Sequence, residues 1–145
     1  MITVADIMTS NPHTARPDSS LAEARQLLRS HGFRHLPVTD EQGQLLGIVS
    51  ERNLLAAQES SQTKISHEQR TEQELSIDLR QLMVEKVYTV SPQASVEDAA
   101  RYLEEHKIGC LPVLEDQQLV GIITDTDFVG VAITLLELMR EQEPL

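Results

Sequence analysis

The stretch "GIITDTD" at residues 121–127 repeats the pattern of "GIVSERN" at residues 47–53. Both have a glycine, two β-branched apolar residues, a hydroxyl residue, two polar residues and a side chain able to cap a helix. The later copy ends in Asp127 and the earlier one in Asn53. This order predicts a buried strand that runs directly into a helix. Its occurrence twice indicates an internal repeat.

The repeat extends far beyond this phrase. Met83 follows Met8 by 75 positions, and the same offset relates the two "LPV" triplets at 36–38 and 111–113. Each copy reads as an extended segment, a capped helix, two strands joined by a short polar turn, and a second helix. The sequence therefore predicts an α+β fold made of two β-α-β-β-α repeats.

The pattern also predicts the domain boundaries. The first repeat takes residues 1–58 and the second takes 77–135, with the end of a C-terminal helix at 136–145. Residues 59–76, rich in Gln, Ser and Glu, form a polar linker that is partly helical or mobile. We expect the segment carrying Leu75, Leu79 and Leu82 to be a helix that docks on the second repeat.

Composition limits the function. The 145 residues carry a formal net charge of −11, which disfavours general binding to nucleic acids or anionic membranes. No segment has the features of a signal peptide or the roughly 18 apolar residues of a membrane span. The single cysteine, Cys110, permits no internal disulfide. We expect a cytoplasmic protein with no membrane and no nucleic-acid partner.

The repeated phrase itself has two interpretations. Thr124 and Asp127 have the spacing of a capping box, a common way to start a helix. The same geometry suits a nucleotide, because a helix N-terminus attracts phosphate and a carboxylate can accept hydrogen bonds from both ribose hydroxyls. Taken by itself, the phrase favours the capping interpretation, because such boxes are common.

The doubled unit resembles the cystathionine β-synthase (CBS) domain in its usual tandem pair. The resemblance covers about residues 2–58 and 77–135, and it is carried by segments such as "VADIMTSNPHTARPDSSLAEARQLL" and "HKIGCLPVLEDQQLVGIITDTDF". It implies two repeats packed with pseudo-twofold symmetry, leaving two clefts that bind adenosyl ligands such as AMP, ADP, ATP, NAD or S-adenosylmethionine. It also implies association of two such pairs into a homodimer.

The resemblance further implies which residues bind the ligand, because the family's motif ends in an acid that holds the ribose. The preferred cleft comprises Thr124, Asp127, Ile122, His13, Phe33, Arg34 and His35. A second, weaker cleft comprises Ser50, Asn53, Ile48, Tyr88, Ile108 and Gly109. It is expected to be weaker because Asn53 replaces the acid and because Gly109 stands where the other cleft has Arg34.

Several other polar residues have simpler interpretations. Cys110 is expected to be a small buried residue, and His31 and His106 to be favourable partners of the helix dipole at helix ends. The histidines show no metal-ligand spacing, so no dedicated metal site is predicted. Asp125 and Asp127 could hold Mg²⁺ if the ligand were ATP, which is the lesser alternative.

The chain contains no nucleophile elbow, phosphate-binding P-loop or HExxH motif, so we do not expect an enzyme; a minor activity in the cleft is the least favoured interpretation. We expect a regulatory module that senses an adenosyl ligand and acts on an unidentified effector protein. The alternative is a ligand-independent interaction or dimerisation module. The final helix, "ITLLELMRE" at 133–141, either packs on its own repeat or forms a dimer contact.

Overall fold

The computed structural model describes residues 1–60 and 66–143. Its helices are α1 (Val4–Ile7), α2 (Leu21–His31), α3 (Glu51–Ser60), α4 (His67–Ser76), α5 (Val96–His106) and α6 (Asp125–Glu141), with a short 3-10 turn at Leu79–Gln81. Its strands are β1 (Thr9–Ser10), β2 (His35–Thr39), β3 (Leu45–Ser50), β4 (Cys110–Glu115) and β5 (Gln118–Thr124). None of the described helices combines the length and the apolar character that crossing a membrane requires.

The chain forms two compact units whose boundaries differ from those of the repeats. The N-terminal unit consists of Pro12–Val87 and Asp116–Leu119. The C-terminal unit consists of Met1–Asn11, Tyr88–Glu115 and Val120–Leu145. The first eleven residues of the chain therefore belong with the second repeat.

Each unit contains a small sheet. In the N-terminal unit β2 and β3 pair antiparallel, with His35 opposite Ser50. In the C-terminal unit the strand order is β1-β5-β4. The extended segment that begins each repeat adds one parallel bridge, from Ala15 to Val38 and from Val90 to Val113. The predicted α+β fold is confirmed, although the first strand of each repeat is reduced to this single bridge.

The residues at the start of each repeat, 1–11 in the first and 77–87 in the second, are called its leading segment here. Each leading segment pairs with the sheet of the other repeat. Thr9 lies opposite Ile122 in the antiparallel pairing of β1 with β5. At the equivalent place, Val84 and Ile48 exchange two backbone hydrogen bonds, of 2.9 and 3.0 Å. The two leading segments are thus exchanged, which explains why the units and the repeats have different boundaries.

The glycine of each repeated phrase makes this exchange possible. A Cβ atom on Gly47 would lie 2.8 Å from the carbonyl oxygen of Val84. A Cβ atom on Gly121 would lie 3.0 Å from the carbonyl oxygen of Thr9 and would collide with the Met8 sulfur. Because backbone oxygens cannot move aside as a flexible side chain can, both positions require a residue without a side chain.

The predicted helix ends are present. Ser20 and Ser95 accept hydrogen bonds from the backbone N–H groups of Glu23 and Asp98, each at 3.1 Å, and so cap α2 and α5. Gly32 ends α2 in the left-handed conformation, with φ of 69°.

The strands and helices meet in two apolar cores. The larger buried side chains are Leu21, Leu28, Leu36, Val49 and Leu79 in the N-terminal unit, and Val4, Leu103, Leu111, Val113 and Ile123 in the C-terminal unit.

The second part of the linker docks on the first repeat, so the expectation that it docks on the second repeat was wrong. Leu79 is fully buried in the N-terminal core, whereas Leu75 is 57% exposed. Glu74 on α4 is buried, and it forms an ion pair with Arg25 and accepts a hydrogen bond of 3.1 Å from Gln58. These polar partners lie on α2 and α3 of the first repeat. Residues 61–65 of the predicted linker lie outside the described residues.

Replacement of Gly47 by alanine should destabilise the protein by about 1–3 kcal/mol, because the new methyl group meets a backbone oxygen in a closely packed region. Urea unfolding followed by circular dichroism measures this. Gly130→Ala is the matched control. Nothing lies within 4 Å of that Cβ position, so the substitution in α6 should be neutral or stabilise by up to about 1 kcal/mol. Equal effects of the two substitutions on the free energy of unfolding would contradict the conclusion that the exchanged leading segments require a glycine at position 47.

Replacement of Glu74 by alanine should lower the free energy of unfolding by about 1–3 kcal/mol, because it removes the buried carboxylate that pairs with the Arg25 guanidinium and accepts from Gln58. Hydrogen exchange should then show faster opening of α4. Glu72→Ala, an exposed acid on the same helix, should change stability by less than about 0.5 kcal/mol. Unchanged protection of α4 in the Glu74 variant would show that this contact does not hold the linker.

Candidate functional site

The later copy of the repeated phrase ends in a complete capping box. The Thr124 backbone N–H donates to Asp127 Oδ2 at 2.8 Å, and the Thr124 hydroxyl lies 3.4 Å from the same oxygen. Both side chains are half-buried, where β5 passes into α6. The Asp127 carboxylate is therefore fixed at the N-terminus of α6, the electropositive end of that helix.

The earlier copy builds the same cap with an amide. Asn53 Oδ1 accepts from the Ser50 N–H at 2.9 Å and from the Ser50 hydroxyl at 2.8 Å. The Asn53 N–H in turn donates to the Ser50 hydroxyl at 3.1 Å. Because a neutral amide completes this cap, capping by itself does not require the negative charge of Asp127.

In each repeat, the residue just before the hairpin accepts a hydrogen bond from the first backbone N–H of the helix that follows the hairpin. The Arg34 carbonyl oxygen accepts from the Glu51 N–H at 2.9 Å, and the Gly109 carbonyl oxygen accepts from the Asp125 N–H at 3.0 Å. Within its own unit, Arg34 thus lies beside the cap of α3, while Gly109 lies beside the cap of α6. The residue whose carbonyl closes the cap of α3 is thus a cation, whereas the equivalent residue at the cap of α6 is a glycine.

The structure places the predicted site residues in both units. The C-terminal unit holds Thr124, Asp127 and Ile122 of the preferred cleft and Tyr88, Ile108 and Gly109 of the weaker one. The N-terminal unit holds His13, Phe33, Arg34 and His35 of the preferred cleft and Ser50, Asn53 and Ile48 of the weaker one. Each predicted set draws on both units, so its membership stays a prediction.

Three rings of the N-terminal unit form a stack that includes two predicted ligand residues. The rings of His13 and His31 are parallel within 23°, with their centroids 4.0 Å apart. The Phe33 ring lies 5.3 Å from His31 and 5.6 Å from His13. His31 was interpreted from the sequence only as a partner of the helix dipole, so its place in this ring stack was missed.

The C-terminal unit has an equivalent stack. The rings of Tyr88 and His106 lie 4.0 Å apart and within 17° of parallel. Tyr102 lies edge-on to Tyr88 and is tilted by 52° to His106. Tyr88 and His106 stand 75 positions after His13 and His31. This repeated spacing of two ring-bearing positions was the signal in the sequence that could have revealed both stacks.

Cys110 is confirmed as a buried residue of the C-terminal core, with 7% of its surface exposed. Burial, together with the negative charges of Asp125 and Asp127, raises the pKa of its thiol to about 12. The thiol is thus neutral near pH 7 and is unsuited to act as a nucleophile. Among the described residues, no three His, Cys, Asp or Glu side chains are grouped so that they could hold a metal ion.

A cavity of about 250 Å³ lies in the N-terminal unit, between α2 and α3. We call it the α2–α3 cavity. Its wall includes three arginines and an apolar surface: Arg25, Arg29, Arg34, Phe33, Leu54 and Leu55. Phe33 and Arg34 are also predicted ligand residues, so the cavity adjoins one part of the predicted site.

Comparison with known proteins identifies relatives with this architecture. The model of the CBS domain matches the chain twice, at residues 4–60 and 79–134. A putative acetoin utilization protein (AcuB) from Vibrio cholerae has a crystal structure with a TM-score of 0.83 and 46% identity, and the alignment covers 99% of both chains.

Two further solved structures carry ligands. CBSX2, crystallised in complex with AMP, matches with a TM-score of 0.78 and 31% identity, over 93% of this chain and 98% of that one. The CBS domain pair of MJ0100, in complex with 5′-methylthioadenosine and S-adenosyl-L-methionine, has a TM-score of 0.76 and 27% identity, over 90% of this chain and 98% of that one.

Some curated relatives are much longer. The chain is 32% identical over 124 residues to a homoserine O-acetyltransferase of Methanocorpusculum labreanum, but this covers 85% of the chain and only 23% of that protein. The enzyme name therefore describes a protein about four times longer than the matched region. With the CBS model matching both repeats and the whole-length likeness to AcuB, the chain belongs to the CBS-domain family, as a tandem pair.

Proposed function

We propose that the chain is a regulatory module that binds an adenosyl ligand, without catalysing a reaction. The candidates are AMP, ADP, ATP, NAD and S-adenosylmethionine, which share the adenosine part. The ligand would shift the protein between two arrangements by binding them with unequal affinity, and an effector protein would respond to that shift.

The observation that carries this proposal is the charge of Asp127. The cap of α3 shows that an amide satisfies the same backbone groups, and yet the cap of α6 has a carboxylate. Asp127 Oδ2 accepts a hydrogen bond from the Thr124 N–H, whereas among the described residues no hydrogen bond reaches Asp127 Oδ1. A ribose diol would give that oxygen a donor, in a bond strengthened by the charge of the acceptor.

The relatives agree with this chemistry. CBSX2 binds AMP, and the MJ0100 pair binds 5′-methylthioadenosine and S-adenosyl-L-methionine. Their common part is an adenosine-type nucleoside, with a vicinal diol and a flat base. We propose that Asp127 and Thr124 hold the ribose beside Ile122, whose buried apolar side chain lies opposite Thr9 at the sheet edge.

The ring stack of the N-terminal unit offers a surface for the base. Phe33 is 37% exposed and His13 is exposed, so these rings are accessible to a ligand. A base stacked on aromatic rings gains about 1–3 kcal/mol. Arg34 and His35 remain the proposed phosphate contacts, and they would favour AMP, ADP or ATP. Mg²⁺ on Asp125 and Asp127 would accompany ATP only.

The proposed second site, around Ser50 and Asn53, should bind more weakly. Asn53 Oδ1 already accepts two hydrogen bonds from Ser50, and an amide oxygen is a weaker acceptor than a carboxylate. Tyr88, Ile108, Gly109 and Ile48 complete this proposed site.

A ligand-independent interaction module is the second candidate. Two observations favour it. Asp127 already takes part in capping α6. Six large apolar side chains of α6 are at least half exposed. The homodimer implied by the resemblance would serve either function.

Asp127→Asn should weaken ligand binding roughly tenfold to a hundredfold, because it keeps the cap but removes the charge that the ribose would use. A thermal-shift panel of the five candidate ligands measures this. A ligand at roughly 100 times its Kd should stabilise the wild type by about 2.7 kcal/mol. The variant should lose most of that stabilisation while keeping its own unfolding temperature.

Asp98→Asn is the matched control, because Asp98 is an exposed acid in the first turn of α5 and is not a proposed ligand residue. Its response to ligand should equal that of the wild type. If no adenosyl ligand stabilises the wild type, or if Asp127→Asn responds fully, the sensor proposal fails and the interaction module becomes the better candidate.

His13→Ala should also weaken binding, by about five- to a hundredfold, because it removes one ring of the proposed base surface. Tyr88→Ala removes the equivalent ring of the weaker site and should affect only a second binding event. Isothermal titration with the ligand selected by the panel distinguishes the two. Identical losses from both variants would contradict the unequal sites.

A further inference from the structure

Two residues that line the α2–α3 cavity already bind a carboxylate, and that carboxylate belongs to the chain itself. Arg25 forms the ion pair with Glu74, and Gln58 donates to Glu74 Oε1 at 3.1 Å. Glu74 comes from α4, and only 5% of its surface is exposed. A guanidinium and an amide N–H at one cavity wall are thus arranged to hold a carboxylate group, in bonds strengthened by charge.

The rest of the cavity wall suits an apolar body attached to such a carboxylate. Arg29, one turn after Arg25 on α2, adds a second guanidinium, and Glu51 is the acid among the residues that line the cavity. The volume of about 250 Å³ has room for about eight groups the size of a water molecule. Leucines of α2 and α3 supply the apolar part of the wall: Leu28, Leu54 and Leu55.

The helix that supplies Glu74 has a limited hold on the first repeat. Glu74 is the buried residue of α4, whereas Leu75 is 57% exposed. One turn before Glu74, the Nε atom of Arg70 is buried and has no hydrogen-bond partner among the described residues. A buried donor without an acceptor opposes the docking of α4. The chain beyond the helix is fixed more firmly, because Leu79 is fully buried and its N–H donates to the Ser19 carbonyl oxygen at 2.9 Å.

We propose that the α2–α3 cavity binds a small carboxylate with an apolar chain, which replaces Glu74 on Arg25 and Gln58 and thereby releases α4. The apolar chain of the ligand would lie against Leu28 and Leu54. Glu74 is the internal occupant of the ligand's place, and its attachment to the same chain gives it a high effective concentration. The ligand must therefore gain affinity by burying its apolar chain.

This site lies within the N-terminal unit, and the inference does not rest on the proposed adenosyl site. Phe33 and Arg34 line the cavity and are also proposed adenosyl contacts, but neither carries the argument here. The test uses the full-length protein without any adenosyl ligand and leaves Asp127 unchanged. Failure of this proposal and failure of the sensor proposal are therefore distinguishable.

The first test is isothermal titration of the wild type with hexanoate, whose about eight non-hydrogen atoms match the volume of the cavity. Hexanoate should bind at least about tenfold more tightly than hexanamide, which has the same chain without the charge. Butanoate should bind about fifteenfold more weakly than hexanoate, because each buried methylene contributes about fourfold. Equal binding of hexanoate and hexanamide would overturn the proposal.

The second test removes the internal competitor. Glu74→Gln should bind hexanoate at least about tenfold more tightly than the wild type, because a neutral amide competes less well for Arg25. Adding Arg25→Gln to this variant should abolish binding while leaving no unpaired buried charge, and circular dichroism checks that the fold is kept. Adding Arg52→Gln instead is the matched control. Arg52 is an exposed arginine of α3 outside the cavity, so hexanoate should bind as it does to Glu74→Gln alone.

Hydrogen exchange of the wild type measures the release of α4. Saturating hexanoate should speed exchange of the α4 amides at least about fivefold and leave exchange in α5 unchanged. If neither the wild type nor Glu74→Gln binds hexanoate, the cavity is not a carboxylate site. If Glu74→Gln binds no more tightly than the wild type, or if exchange in α4 is unchanged at saturation, the ligand does not displace Glu74 and the proposal fails.

Discussion

The close approach of backbone segments at Gly47 and Gly121 is the constraint on which the architecture depends. At both places the leading segment of one repeat lies against the sheet of the other, where a β-carbon would meet a carbonyl oxygen at 2.8 or 3.0 Å. This exchange explains why the compact units do not coincide with the repeats. It also explains why glycine opens both copies of the repeated phrase. The remainder of the phrase, two apolar residues and a helix cap, then follows from a buried strand that leads into a helix.

The two caps show how one backbone geometry can carry different chemistry. Thr124 with Asp127 and Ser50 with Asn53 satisfy equivalent backbone groups at similar distances. The negative charge of Asp127 is therefore not needed to cap the helix. In a chain with a net charge of −11, a further carboxylate at a half-buried position is unfavourable unless something compensates for it. The N-terminus of α6 supplies part of that compensation, and a ligand's hydroxyl groups would supply more.

Much of the fold was predictable because its signals are local. The repeat, the capped helices, the hairpins and the left-handed end of α2 at Gly32 all follow from residue type and spacing. The docking of the linker was not predictable in this way. The sequence indicates an apolar segment at Leu75, Leu79 and Leu82. Which repeat this segment packs on depends on the contacts of Glu74 with Arg25 and Gln58 of the first repeat. Likewise, the stacking of His13 on His31 joins residues 18 positions apart, and the sequence indicates it only through the same spacing of Tyr88 and His106 in the second repeat.

The doubled unit, its family and the chemical difference between Asp127 and Asn53 can be read from the amino-acid sequence without coordinates. These follow from periodicity and from chemical identity, which need no coordinates. Four features became visible in the folded chain alone. The leading segments are exchanged, the linker packs on the first repeat, His31 and His106 stack on His13 and Tyr88, and the large apolar side chains of α6 are exposed. Each of these is a matter of which distant surfaces come into contact. That choice is made by packing and by the pairing of buried polar groups, which single residues do not encode.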